Sequence, residues 1–247
     1  MDYGQIALVL VAVGIGFFTK GLTGIGGPLF AIPVLASFMG VEFAVAVIAI
    51  PSLVANVWLL LQNRAAAGSV HRYLIPMLIA GALGIVLGVW LLVSVDDRWL
   101  SLALALAVIA YIVWFLTNPR FQLSETAAQR LAAPVGFIGG GMQGATGISA
   151  PVVATYTHSL NLPRTGFVFA VTVPFAVLGA VQIVSLTYVD AYDAERVVAG
   201  LVAIIPVVIV LPIGERLGQR LTQQAFQIVV LLVLGAAAAR LLWSVFA

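Results

Sequence analysis

Residues 19–28 read TKGLTGIGGP, and residues 142–151 read MQGATGISAP. With the two stretches aligned 123 positions apart, Gly21, Thr23, Gly24, Ile25 and Pro28 match Gly144, Thr146, Gly147, Ile148 and Pro151. The same offset places Pro51 on Pro174. Each copy interrupts an apolar stretch with glycine and proline. This repetition predicts one structural unit used twice, an organisation typical of membrane transporters.

The composition of the chain predicts an all-α membrane protein. Its 247 residues are 63% hydrophobic and only 8% charged, with a mean hydropathy of +1.17. Soluble domains contain about 25% charged residues. Apolar runs of about 18 residues or more predict transmembrane helices. Full-length candidates are residues 43–61, 73–95, 99–117, 165–189, 197–214 and 221–243.

Several other functional classes lack their sequence signals. The absence of cysteine excludes a disulfide framework and a thiolate metal site. The glycines at 24–27 lack the flanking strand and later acidic residue of a dinucleotide site, and no Walker lysine–serine pair is present. The dispersed net charge of +2 does not indicate nucleic-acid binding. We therefore predict a protein that is not an enzyme and has neither a metal site nor a cofactor.

The two glycine-rich segments do not have the length of a simple crossing. Residues 5–38 and 131–159 comprise 34 and 29 residues, whereas one crossing takes about 20 residues and two take about 40. Glycines break a helix, and Pro28 suits the first turn of a new one. Each segment is therefore either a broken helix that crosses or a re-entrant hairpin that returns to its own face.

The distribution of arginine favours hairpins. With two hairpins and six crossings, seven of the ten arginines lie on one face and three on the other. With two crossing segments the split is six to four. Because cytoplasmic loops are enriched in basic residues, the arginine-rich face is predicted to be cytoplasmic, with both termini outside.

This arrangement predicts two inverted repeats in a polytopic helical bundle. Repeat 1 covers residues 1–118, with a hairpin at 5–38 and three transmembrane helices. A cytoplasmic linker covers 119–130, and repeat 2 covers 131–247, with a hairpin at 131–159 and three helices. Because each repeat has an odd number of crossings, the second copy is inverted. The hairpin tips then enter from opposite faces and meet near the middle of the membrane.

Such tips form an anion site. New half-helices begin at Pro28 and Pro151, and their first N–H groups, at the positive end of the helix dipole, lack intrahelical partners. The predicted substrate-binding residues near them include hydroxyl donors and glycines that allow close backbone approach: Gly21, Thr23, Gly24, Gly26, Gly27, Gly144, Thr146, Gly147 and Ser149. The alternative is that the glycines only permit helix packing, the interpretation we give to Gly81, Gly84 and Gly88.

Lys20 is the only lysine and stands beside the first glycine break. A cation at membrane depth is costly, so such residues usually serve function. We interpret Lys20 as the countercharge for an anionic substrate; the alternative is that its side chain reaches an interface. Its counterpart Gln143 can bond substrate without carrying charge, so the predicted site is asymmetric.

Other polar and proline residues are candidates for the transport pathway. His158 has a side chain able to carry a proton near neutral pH, or it is an ordinary interfacial histidine. Asn56 and Gln182 lie inside predicted crossings, where they line a pathway or bond neighbouring helices. Pro51 and Pro174 are predicted to kink equivalent helices.

The duplicated motif resembles that of the TauE/SafE family of sulfite and organosulfonate exporters. The first copy, GLTGIGGP at 21–28, matches the family pattern well, whereas GATGISAP at 144–151 replaces a double glycine with Ser149 and Ala150. The resemblance covers nearly the whole chain. It implies a carrier for small sulfur-containing or carboxylated anions in the bacterial inner membrane.

The combined prediction is a secondary transporter that exports a small anion such as sulfite, a short organosulfonate or an organic acid. The anion binds between the hairpin tips, and access alternates as one repeat rocks against the other. The sequence does not indicate whether transport is coupled to a proton gradient, to a sodium gradient or to neither. Two alternatives are an anion channel and a membrane subunit that passes sulfur species to a soluble partner. The lipid bilayer is the other expected partner. The sequence does not indicate an oligomeric state, since apolar helices face lipid and partner subunits alike.

Overall fold

A computed structural model describes residues 1–64, 71–117, 123–160, 162, 164–218, 235, 238–239 and 242–243 of the chain. All regular secondary structure in these ranges is α-helical, apart from a single 3₁₀ residue at Arg64. The helices are α1 (Tyr3–Thr23), α2 (Gly27–Met39), α3 (Val41–Asn63), α4 (His71–Ser94), α5 (Asp97–Thr117), α6 (Glu125–Thr146), α7 (Ala150–Ser159), α8 (Arg164–Tyr188), α9 (Ala194–Val202) and α10 (Ile204–Gly218). The predicted all-α fold is confirmed.

Within the described ranges, five helical segments are long and apolar enough to cross a membrane. They are Tyr3–Thr23, Val41–Asn63, Leu74–Ser94, Gly166–Tyr188 and Ala194–Gly218. Large apolar side chains also cover the outside of the bundle, where Leu83 is 64% exposed and Val184 is 69% exposed. Such a surface suits lipid, because hydrocarbon tails solvate it well. The chain is therefore a multi-pass membrane protein.

Most predicted crossings coincide with observed helices. Helices α3, α4, α5 and α8 cover the segments predicted at 43–61, 73–95, 99–117 and 165–189. The segment predicted at 197–214 is two helices, α9 and α10, separated at Ala203. The predicted crossing at 221–243 lies almost entirely outside the described residues. Part of the predicted linker at 119–130 is helical, because the Ser124 side chain caps α6 and starts it at Glu125.

The two glycine-rich breaks have the same backbone geometry at their first residue. Gly24 ends α1 with a φ of 79°, and its N–H donates to Lys20 O at 2.7 Å. Gly147 ends α6 with a φ of 72°, and its N–H donates to Gln143 O at 2.7 Å. This left-handed conformation is costly for other residues and explains why glycine occupies both positions.

After each break the chain folds back on the helix that precedes it. In the first hairpin, Gly16 of α1 lies against Gly27 and Ala31 of α2. In the second hairpin, the start of α6 lies beside the end of α7, because the N–H of Leu123 donates to Ser159 O at 3.2 Å. In each glycine-rich segment the helices before and after the break therefore pack against each other, and we call each such helix pair a hairpin.

Polar contacts gather several helix N-termini at one end of the bundle. The amino-terminal group pairs with Glu195 at the start of α9. Arg196 donates to Glu42 of α3 at 2.6 Å, and the N–H of Val41 donates to Asp97 of α5 at 2.6 Å. Helices α1, α3, α5 and α9 therefore all start at this end, which we call the acidic end.

The end of α8 also lies at the acidic end. Tyr192, just after α8, donates its hydroxyl to Ala46 O of α3 at 3.1 Å. Burial raises the pKa of Tyr192 to about 12, so the phenol stays protonated and keeps this bond at physiological pH. Helices α3 and α8 consequently run in opposite directions, and they pack against each other in the centre of the bundle.

Glycines bring each hairpin into close contact with a helix of the other half of the chain. Gly21 of α1 lies against the main chain of Leu211 in α10, and Gly144 of α6 lies against Gly88 in α4. Leu211 follows Gly88 by 123 positions, the same offset that separates Gly144 from Gly21. The interpretation of Gly84 and Gly88 as packing residues is confirmed by their contact with the α6 main chain.

Candidate functional site

One cavity lies between the tips of the two hairpins. Its lining comprises Lys20, Gly26, Pro28, Leu29, Ile32, Val45, Ile48, Ala49, Ser52, Asn56, Gln143, Gly147, Ile148, Ser149, Ala150, Phe175, Gly179 and Gln182. Both hairpins contribute to it, as do the central helices α3 and α8. The cavity volume of about 30 Å³ gives room for about two water molecules. A site of this size suits a small ligand.

The N-termini of α2 and α7 both border this cavity. Gly26 and Pro28 line it from α2, and Ser149 and Ala150 line it from α7. Neither helix start has a side-chain cap. Because the first N–H groups of a helix have no intrahelical acceptor, both helix starts present positive partial charge to the cavity. Such starts are ready-made sites for an anion.

Lys20 contributes a basic side chain to the cavity wall. Its side chain is only 1% exposed, although it lies in the last turn of α1 beside the break. The Nζ atom lies 5.0 Å from the centre of the Phe175 ring, a cation–π contact. Within the described ranges no carboxylate forms an ion pair with Lys20. The Lys20 side chain therefore has no acidic partner in the described part of the chain.

Gln143, the counterpart of Lys20, is tied into a polar network. Its carboxamide donates to Gln182 Oε1 at 3.3 Å and accepts from the Ser149 hydroxyl at 2.6 Å. Gln182 in turn donates to Gln143 O at 2.7 Å. All three residues are buried. The network ties the second tip to α8, and it joins Gln143 before the break to Ser149 after it.

Thr23 and Thr146 were predicted to bind substrate through their hydroxyl groups, but both form hydrogen bonds with the backbone. Thr23 donates to Thr19 O at 3.0 Å and accepts from the N–H of Ile25 at 3.1 Å. Thr146 donates to Met142 O at 2.7 Å. Neither threonine lines the cavity. Their hydroxyl groups stabilise the backbone of the tips. In the described part of the chain, Ser149 is the one of the three predicted hydroxyl residues that borders the cavity.

The predicted glycines divide into three groups. Gly26 and Gly147 line the cavity, with Gly26 at a φ of 122° that favours glycine. Gly24 forms the left-handed end of α1. The remaining predicted glycines lie at contacts between helices, with Gly27 against Phe17, Gly21 against α10 and Gly144 against α4.

The candidate pathway residues have different locations. Asn56 and Gln182 line the cavity. His158 is exposed near the end of α7 and makes an edge contact with Phe167, away from the cavity. Pro51 and Pro174 lie inside α3 and α8 and are buried. Among the described residues no three metal-binding side chains cluster together.

The sulfite exporter TauE/SafE family model matches residues 8–241, nearly the whole chain. The chain belongs to this family. Its members are transporters rather than enzymes. No curated protein and no solved structure matches this TauE/SafE chain.

The sequence prediction did not include several cavity-lining residues of this TauE/SafE chain, and two of them are polar or aromatic. Ser52 and Phe175 both line the cavity, and each directly follows one of the paired prolines, Pro51 and Pro174. They are separated by the same 123 positions as the two motifs. Because serine and phenylalanine differ, the repeat alignment shows no identity at this position, and the paired prolines before it are the sequence signal.

Proposed function

We propose that the protein is a secondary transporter that exports a small anion such as sulfite, a short organosulfonate or an organic acid. The carrying observation is that Lys20 and two uncapped helix N-termini border one small buried cavity. All three elements favour negative charge, and no described carboxylate neutralises them. Membership of the sulfite exporter TauE/SafE family supports sulfur oxyanions as the substrate class.

The substrate-binding set in this proposal follows the cavity lining. Lys20 supplies the charge, and the backbone around Gly26 and Gly147 supplies close approach. Ser149 borders the cavity through its side chain, and Gln143 holds it in place. The other predicted residues of the two motifs act by shaping and packing the tips.

We further propose that the chain forms two inverted repeats, residues 1–118 and 131–247. The equivalent glycine contacts, Gly21 with Leu211 and Gly144 with Gly88, support this arrangement. The Arg196–Glu42 pair also supports it. If both glycine-rich segments crossed the membrane, these two residues would lie on opposite faces. In this proposal the acidic end and both termini face outward from a bacterial inner membrane, and the arginine-rich end faces the cytoplasm.

Alternating access would move the two repeats relative to each other around the cavity. The Arg196–Glu42 pair joins α9 of the second repeat to α3 of the first at the acidic end. Opening the cavity toward that end would separate these two side chains. A proton or sodium gradient would supply the driving force, and His158 is the candidate proton carrier near the opposite end.

The experiment that tests the function is uptake by the purified chain reconstituted in liposomes. Sulfite, sulfoacetate, aminosulfonates and short carboxylates are compared, each with and without a proton or sodium gradient. The proposal expects saturable uptake of at least one small sulfur oxyanion. Electrical currents far above carrier turnover would indicate a channel instead. Uptake that requires a soluble partner protein would indicate a subunit of a larger assembly.

A further inference from the structure

The amide of Asn56 is an unsatisfied polar group in the wall of the cavity. Asn56 lies in α3, is 1% exposed and lines the same cavity as Lys20. Its Oδ1 atom is buried and has no hydrogen-bond partner within the described part of the chain. Buried amide oxygens nearly always have a donor, because leaving one unpaired costs free energy. The cavity wall therefore contains a buried acceptor with no donor from the described part of the chain.

The neighbouring polar side chains do not supply that donor. Gln143 donates to Gln182, and Gln182 donates to the main chain of Gln143. The hydroxyl of Ser149 donates to Gln143. These donors are already engaged with one another on the opposite tip. No other described residue that lines the cavity, Lys20 included, is a hydrogen-bond partner of Asn56 Oδ1. The donor for Oδ1 must therefore come from a group that enters the cavity.

We propose that Asn56 is a specificity-determining residue that accepts a hydrogen bond from the transported anion. The proposal rests on the proposed function, since it places the anion's charged oxygens against Lys20 and the two helix N-termini. The selected substrates are singly charged oxyanions that retain an O–H or N–H donor. This class comprises the hydrogen form of an inorganic oxyanion and small amino- or hydroxyl-substituted sulfonates. An anion with acceptors alone leaves Oδ1 unsatisfied.

Sulfamate and methanesulfonate are a matched pair of probes for this idea. The two anions have the same charge and nearly the same shape, but sulfamate has an amino group where methanesulfonate has a methyl group. Binding of each to the purified wild-type protein is measured in detergent by calorimetry. We expect sulfamate to bind about tenfold more tightly, the discrimination typical of one buried hydrogen bond.

Two substitutions on α3 separate the role of Asn56 from a general effect. Asn56→Leu keeps the approximate size but removes the acceptor, so the two anions should bind with nearly equal affinity. Asn63→Leu is the matched control, because the Asn63 side chain donates to Leu59 O at 2.9 Å and does not line the cavity. Asn63→Leu should keep the tenfold preference. Asn56→Ala serves as a second variant if the leucine variant does not fold.

The outcomes separate this proposal from the transport proposal. Equal binding of both anions to the wild-type protein overturns the role of Asn56, as does a preference that survives both Asn56 substitutions. Selective binding without uptake into liposomes supports the role of Asn56 and contradicts transport. Uptake of both anions with equal affinity supports transport and contradicts the role of Asn56. Absence of binding by either anion contradicts both.

Discussion

At the scale of single residues, the two tips carry different chemistry at equivalent positions. Lys20 presents a charge to the cavity and contacts Phe175, whereas Gln143 is engaged with Ser149 and Gln182. One tip therefore supplies charge and the other supplies a fixed scaffold. For the proposed anion site, this asymmetry predicts one preferred orientation of a small anion in the cavity.

The network at the second tip should contribute measurably to stability. Gln182→Met removes the partner of the buried Gln143 amide, and an orphaned buried donor costs about 1–3 kcal/mol. We expect a corresponding loss in the free energy of unfolding, measured in detergent. In the double variant with Gln143→Met, fewer groups remain unpaired. The combined loss should therefore be smaller than the sum of the two single losses.

Gln129→Met is the matched control for this network. Gln129 lies on the same helix as Gln143 but is exposed, so its replacement should leave the unfolding free energy unchanged. Strict additivity of the Gln143 and Gln182 substitutions would show that the two amides do not stabilise the tip through each other.

The sequence predicted cavity-lining positions better than it predicted side-chain directions. Lys20, Gln143 and Ser149 do border the cavity. Thr23 and Thr146 do not, because a threonine hydroxyl within a helix readily reaches the carbonyl four residues earlier. Both threonines lie in the last turn of a helix rather than in the loop. The repeat motif alone does not show whether the threonine before the break belongs to the helix or to the loop.

At the scale of helices, the contact between α4 and α6 depends on the absence of side chains. A Cβ atom at Gly84 would overlap Phe137 O, and one at Gly88 would overlap Gly141 O. We expect Gly84→Ala and Gly88→Ala each to lower stability by about 1–3 kcal/mol, the usual cost of overpacking. Thermal unfolding of the purified variants in detergent measures this loss.

Gly141 provides a control within the same contact. A Cβ atom added there would meet its nearest neighbour, Gly84 O, at 3.8 Å, an ordinary contact distance. Gly141→Ala should therefore keep or slightly raise stability, because alanine favours the helix. Equal losses for all three alanine variants would contradict close packing as the reason for Gly84 and Gly88.

Helix ends were predictable where glycine and proline mark them. The breaks at Gly24 and Gly147 follow directly from the repeated motif. The interruption at Ala203 was missed, although Pro206 lacks the N–H that would bond the carbonyl of residue 202. The start of α6 was placed six residues too late, because Ser124 is a weak signal when the run of larger apolar residues begins only at Leu131.

At the scale of the whole molecule, the hairpin arrangement predicts which loops face the outside of the cell and which face the cytoplasm. The chain contains no cysteine, so single cysteines report position without background. Asp96→Cys and Asp190→Cys should react with a membrane-impermeant maleimide added outside intact cells. Arg64→Cys and Thr126→Cys should react only after the membrane is permeabilised.

Asp190 is the deciding position among these four. Two hairpins place it on the same face as Asp96, whereas two crossing segments place it on the face of Arg64 and Thr126. Labelling of Asp190→Cys only after permeabilisation would contradict the hairpin arrangement. The arginine count predicted this sidedness. The packing of α1 against α10 and of α6 against α4 could not be predicted from the sequence, because a glycine does not specify which helix it contacts.

The most direct test of the central claim is sulfite uptake by liposomes that contain wild-type protein or Lys20→Met. Methionine keeps most of the length of the side chain but removes the amino group at the cavity wall. A lost charged hydrogen bond costs about 1.5–3 kcal/mol, so we predict saturable uptake by the wild type and at least about a tenfold higher KM, or no uptake, in the variant. Identical kinetics for the two proteins at equal reconstituted amounts would contradict an anion site at Lys20 between the two tips.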